Sequence, residues 1–265
     1  MIKSLSKLFR PQPATPPASV PPGQRVYAVG DIHGCRDLFD ALIAAIETDD
    51  AARAPAETTI VLLGDLIDRG PDSAGVIASA RALQARRDVR ILCGNHEEMF
   101  LRCFADLELF RHFLRYGGRE TILSYPLDQT RWNAADLDEA HAMMRAAVPA
   151  ADLEFIRSFE DSIVIGDYAF VHAGILPGQP IEDQDPGDTR WIREPFLSDS
   201  RDHGFVIVHG HTITETPVFR RNRIGIDTGA YSSNRLTALA LEGESRWIIS
   251  TNLSQDVVTC ETAAA

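Results

Sequence analysis

Three times near its start, this chain runs through a short apolar stretch, stops at or just before a glycine, and passes into a segment with helical spacing. Residues 26–29 lead into Gly30, 59–63 into Gly64, and 89–92 through Cys93 into Gly94. Residues 38–46 and 74–83 then carry apolar side chains on one helical face, and a third such stretch reaches Phe104. Strand, turn and helix in repetition argue for an α/β fold with a mostly parallel sheet. In such sheets the chemistry gathers outside the carboxyl ends of the strands. Each of the three turns lies there.

The turns are rich in metal-binding side chains. They read GDIHG at 30–34, GDLIDRG at 64–70 and GNHE at 94–97, and two later runs end in HAG at 172–174 and GHT at 210–212. Carboxylate and amide oxygens mixed with imidazole nitrogens suit borderline divalent ions such as manganese, iron or zinc. Asp31 and His33, two apart in a turn, can face one ion, and Asp65 has two oxygens with which to bridge two. Asn95, His172 and His211 would complete a second site. Arg69 beside them is what an anion would need, so the simplest chemistry is hydrolysis of a phosphate ester at a paired-metal centre. A lone Asp-x-His is an ordinary turn; five motifs, each after an apolar run, are not.

Composition narrows the alternatives. A formal charge of −12 is the wrong sign for a nucleic-acid surface. The lysines are Lys3 and Lys7 alone, which removes a Schiff-base lysine and a P-loop lysine. The four cysteines form no CxxC pair, so a disulfide framework or structural zinc site is not expected, and reduced thiols in a cytoplasmic protein are. There is no apolar run of membrane-spanning length.

The reading divides the chain into a basic, proline-rich disordered tail over 1–24, a catalytic domain over 25–250 and a C-terminal tail over 251–265. Residues 106–160 read as a helical insert that walls the cleft. The later runs, at 162–165, 169–172, 205–209, 224–227 and 236–241, predict a second, more antiparallel sheet.

GDIHG, GDLIDRG, GNHE, HAG and GHT together resemble the signature series of the phosphoprotein phosphatase family, within the calcineurin-like metallophosphoesterase superfamily. The WIREPF segment and Ile226–Ala230 look most like its bacterial and bacteriophage serine/threonine phosphatase branch. The resemblance implies a two-sheet β-sandwich flanked by helices, with two divalent ions at its edge, manganese first and iron or zinc as alternatives. One ion would take Asp31, His33 and Asp65, and the other Asp65, Asn95, His172 and His211. His96 is implied as the general acid, oriented by Asp68, with Arg69 and Arg193 gripping the phosphate beside Asn95. Glu97 is expected to orient the turn carrying His96. Cys93 departs from the arginine that many members place before GNHE.

The expected substrates are phosphorylated proteins or peptides, attacked directly by water without a phosphoenzyme. Two alternatives stand beside this. One is a symmetrical dinucleoside tetraphosphate hydrolase, whose members usually carry glutamine at the position of His33. The other is a non-catalytic module binding phosphoproteins.

Overall fold

A computed structural model describes residues 17–255 and 257–265 of the chain. Two sheets face each other. The first holds six strands in the order β11-β10-β9-β1-β2-β3 and the second five, β4-β5-β6-β8-β7. In the first, β1 (Gln24–Val29), β2 (Glu57–Leu62) and β3 (Asp88–Ile91) are parallel, and β9 (Arg235–Glu242), β10 (Ser245–Ser254) and β11 (Val257–Ala264) add antiparallel. In the second, β5 (Tyr168–Val171), β6 (Val206–His209) and β8 (Arg223–Gly225) are parallel, with β4 (Ser162–Ile165) and β7 (Val218–Phe219) antiparallel at the edges.

The two-residue period of β1 explains the layering. Val26 and Ala28 point between the sheets, where they meet Phe170, Val208 and Ile224. Tyr27 and Val29 point the other way, onto Phe39, Leu42 and Ile46 of α1 (Arg36–Ala52) and Val76 and Ile77 of α2 (Ser73–Gln84). A strand buried on both faces reads as an unbroken apolar run. The outer face of the second sheet is covered by Ile175, Ile192 and Phe196. The expected sandwich flanked by helices is therefore present.

The insert is also helical, with α4 (Leu107–Phe113), α5 (Arg119–Ser124), α6 (Gln129–Ala134), α7 (Leu137–Ala147) and α8 (Ala150–Arg157) following α3 (Asn95–Cys103). A π-turn over Leu114–Gly118, where Gly117 has φ 106°, joins α4 to α5.

Three expectations need correction. Residues 236–241 lie not in the second sheet but beside β1 in the first, where Leu239 and Leu241 fill the space between sheets. Each sheet is mixed, so the second is not the more antiparallel one. Residues 251–265 are no tail: β10 continues to Ser254, and the β-branched run that opens β11 pairs with it to form the sheet edge. The tail expected over 1–24 lies outside the described residues up to 16. Beyond that, Val20 is 1% exposed in the sandwich core and donates its backbone N–H to Gly243 O. Among the described residues no helix is long and apolar enough to cross a membrane.

Candidate metal centre

Parallel strands from both sheets end at one edge of the sandwich. Asp31 and His33 follow β1, Asp65 follows β2, Asn95 opens α3 after β3, His172 follows β5 and His211 follows β6. The turns are bent hard. Among the described residues, five of the seven non-glycine residues with positive φ are His33, Asp65, Asp68, Arg69 and His211. Left-handed backbone costs of order 1–3 kcal/mol at a non-glycine residue and collects where function demands a side chain in one place. Two glycines make the close approach possible. A Cβ at Gly94 would collide with Asp65 Oδ1, and one at Gly210 with Asp31 Oδ1.

Asp65 is the hub. Its Oδ2 lies 3.4 Å from His172 Nε2, 3.6 Å from His33 Nε2 and 3.9 Å from His96 Nε2. Two donor triads share it, His33–Asp65–His96 and Asp65–His172–His211, with each triad's ligand atoms within 4.8 Å of one another. Asn95 Oδ1 joins at 3.0 Å from His172 Nε2. Asp31, also buried, sits beside the cluster with its carboxylate on the His211 backbone N–H (3.0 and 3.2 Å).

The partners of the ring nitrogens fix their orientation. His33 Nδ1 meets Ile67 O at 2.8 Å, and its Nε2 accepts from Arg69 Nη1 at 2.7 Å. His172 Nδ1 meets Leu63 O, also at 2.8 Å. A backbone carbonyl on one ring nitrogen, leaving the other turned to a shared carboxylate, is the arrangement metal-ligating histidines use.

Electrostatics test whether cations belong here. Burial and the carboxylates of Asp227 and Asp65 raise Asp31 well above the ordinary aspartate value. Burial lowers His33 and His211 to about 3, keeping both imidazoles neutral. His211 Nε2 is buried and has no hydrogen-bond partner. Burial would lower His172, but Asp65 outweighs it and raises it. Gathered carboxylates, neutral imidazoles and an orphaned ring nitrogen fit a divalent cation.

His96 stands apart from the carbonyl-held rings. Its Nδ1 lies 2.6 Å from Asp68 Oδ2, and Asp68 Oδ1 accepts from Thr121 Oγ1 at 2.5 Å. Burial alone would lower the imidazole; Asp65 and the Asp68 hydrogen bond outweigh it and raise it. A buried, charge-supported histidine held by a carboxylate is suited to deliver a proton.

Asp68 and Arg69 do not pair with each other, because Asp68 is taken by His96 and Arg69 by His33. Arg193 is exposed, and its charge reaches His211; no ion pair joins it to Glu194 among the described residues. Arg201 pairs with Asp199 on the surface. Glu97 accepts from the N–H groups of Gly94, Asp65 and Leu66 at 2.8–2.9 Å, so it ties the Asp65 turn to α3. Cys93 is buried with its thiol near Gly94 O, and burial pushes the thiol up.

Thr121, Ser73 and Asp227 complete the site without having been singled out as ligands. Thr121 comes from the insert, accepts the Asp68 backbone N–H at 2.8 Å and lies 2.9 Å from Ser73 Oγ. Nothing in a threonine inside a helix signals such a contact in advance. Asp227 was visible in the Ile226–Ala230 segment of the resemblance, as a residue near the cleft but not as a ligand.

Five strand ends, a metal-ligand cluster and an imidazole–carboxylate pair define a metallophosphoesterase. The chain belongs to the calcineurin-like phosphoesterase family, whose profile matches residues 24–227. Its relatives are more particular than that. A Bacillus velezensis protein named bis(5'-nucleosyl)-tetraphosphatase PrpE, asymmetrical, is 30% identical over 79% of this chain and 86% of its own length. An Acidovorax protein named bis(5'-nucleosyl)-tetraphosphatase, symmetrical, is 33% identical over 57% of this chain and 44% of its own length. The fold is shared with the cold-active protein-tyrosine phosphatase of a psychrophilic Shewanella, with TM-score 0.55 and 20% identity over 92% of this chain and 83% of that one. The superfamily in the sequence resemblance is thus correct, while the relatives' names do not support its serine/threonine phosphatase branch.

Proposed function

We propose that the protein hydrolyses dinucleoside polyphosphates with two divalent ions, manganese foremost. The observation that carries the metal-dependent chemistry is the convergence of His33, His96 and His172 on Asp65, beside the orphaned His211 nitrogen. The names of the relatives carry the substrate. This replaces the expectation of a phosphoprotein substrate. His33 weighed against a dinucleotide, but its place between Ile67 and Arg69 serves either ester.

Asp31, His33 and Asp65 would hold one ion; Asp65, Asn95, His172 and His211 would hold the other. Bound divalent ions supply charge to the phosphoryl oxygens and acidity to water. Arg69 and Arg193 grip the phosphate, since a guanidinium fork matches two oxygens at once. His96, steadied by Asp68, passes its proton to the departing oxygen.

One observation favours a protein phosphatase as the second reading. The His96–Asp68 pair suits an alkoxide, which leaves poorly without a proton, whereas a nucleotide phosphate with a pKa of about 6 leaves well alone. Hydrolysis of diadenosine tetraphosphate beside phosphoserine, phosphothreonine and phosphotyrosine peptides, with manganese and with chelator, decides. Metal-dependent preference for the dinucleotide supports the proposal, and its products show which phosphate bond is cut. Preference for the peptides replaces it with the second reading.

A further inference from the structure

Several of the large side chains left in solvent sit close to site residues, although Val164 and Val257 do not. Tyr116 is 51% exposed and precedes Gly117, whose carbonyl accepts the Arg69 N–H. Trp191 and Ile213, 41% and 45% exposed, lie two residues from Arg193 and His211. Tyr231 touches the site itself. Its ring meets His33 edge-on at 5.3 Å, and the Arg69 guanidinium carbon lies 4.8 Å from its centroid.

Tyr231 also walls a cavity of about 170 Å3 next to the ends of the turns that carry His33 and Arg69, where Cys35 and Pro71 line it. Leu38, Pro71 and Leu253 give it an apolar lining. Arg36, fixed by Asp40 and Asp72, and Asn234 supply polar groups. The Asn234 side-chain amide makes no hydrogen bond among the described residues. Its backbone is left-handed, with φ 58°, where glycine would be the unstrained choice.

We infer that this cavity receives the purine base of the nucleotide substrate, an inference that rests on the dinucleotide reading above. Tyr231 links the two chemistries: a phosphate held by Arg69 continues past the Tyr231 ring into the cavity. The volume is below the roughly 300–1,000 Å3 of pockets for drug-sized ligands, so it takes one ring system and no length of peptide. Tyrosine and arginine offer stacking faces for a base. An asparagine amide presents donor and acceptor together, matching the paired acceptor and donor on an adenine edge. A phosphoserine peptide would leave those groups unused.

The test uses full-length protein, AMP, diadenosine tetraphosphate and tripolyphosphate, which has anhydride bonds but no base. AMP added without metal should move the methyl resonances of Leu38 and Leu253, and Tyr231→Ala or Asn234→Gly should weaken that binding. With manganese, either variant should lower the ratio of kcat/KM for the dinucleotide to that for tripolyphosphate by about tenfold, as expected for a lost stacking or edge contact. Asn234→Gly keeps the left-handed backbone, so folding is preserved. If the wild type cleaves the dinucleotide while AMP leaves both resonances still and the ratio unchanged, the pocket is refuted and the substrate reading stands. If the dinucleotide is not cleaved but AMP still moves them, the pocket stands and the substrate reading falls.

Discussion

Replacing His96 with asparagine separates the two substrates by physics rather than by preference. The imidazole is 2% exposed, its Nδ1 hydrogen-bonds Asp68, and its Nε2 faces the cluster 3.9 Å from Asp65 Oδ2. An asparagine amide can still donate to Asp68, so the carboxylate is not stranded, but it brings no titrating proton. The loss is therefore that of general acid catalysis, about 10²–10⁴-fold when the leaving oxygen is a poor one such as an alkoxide. It should shrink toward about tenfold for a nucleotide phosphate, whose conjugate acid has a pKa near 6. The assay is a series of phosphate esters and anhydrides of graded leaving-group acidity, measured under single turnover with manganese. Metal content by atomic emission and a thermal melt establish that the variant is loaded and folded. A steeper dependence on leaving group in the variant than in the wild type is the expected result. An equal loss across the series would mean that His96 does not donate the proton, and the argument from the Asp68 hydrogen bond would fail.

Other outcomes follow from the same contacts. Asp65→Asn should lose bound metal and nearly all turnover, because a neutral amide cannot replace a shared carboxylate; full metal content by elemental analysis would contradict the hub. Thr121→Val strips a donor from the buried Asp68 carboxylate and should lower unfolding stability by about 1–3 kcal/mol, read in urea melts, together with turnover. Arg25 is 1% exposed and is held by Asp50, Glu242 and Ala54 O, so Arg25→Ala should cost about 3 kcal/mol, and a melt within 0.5 kcal/mol of wild type would refute it. For Asp50, burial is outweighed by hydrogen bonds from Thr58, Arg87 and Arg25, and its carboxyl sits below the usual 3.8. A depressed value stabilises the fold above the unfolded pKa and is lost as pH falls through the folded one. The stability gap between wild type and Asp50→Asn should accordingly be full at neutral pH and close below about pH 3.8, a trend that chemical denaturation can follow.

The fold's scaffold was readable where apolar runs carried both faces of a strand, as in β1, where Tyr27 and Val29 serve the helices and Val26 and Ala28 the sandwich. Its topology was less so. Residues 236–241 look like any buried strand, and only the register against β1 decides their sheet. The C-terminal strand hid behind the polar residues 254–256. At the site, the glycines beside each motif announced Asp31, His33, Asp65 and His96, and of these His33 and Asp65 sit on left-handed backbone. Thr121 left none, because its role depends on α5 folding back over the Asp68 turn. The substrate was least legible: the two readings share one metal cluster, and they differ in side chains such as Asn234 that belong to no motif.

The donors come from opposite layers, Asp31, Asp65 and Asn95 behind the first sheet and His172 and His211 behind the second. An ion bound by both sets therefore acts as a staple between segments that lie far apart along the chain, closing loops the unfolded polypeptide would have to leave open. Its binding energy adds to the folding energy by mass action, about 2.7 kcal/mol at a hundredfold excess over the dissociation constant. Metal supply would then govern how long the protein survives heat and proteolysis as well as how fast it turns over, and cells short of the ion would hold fewer copies rather than merely idle ones.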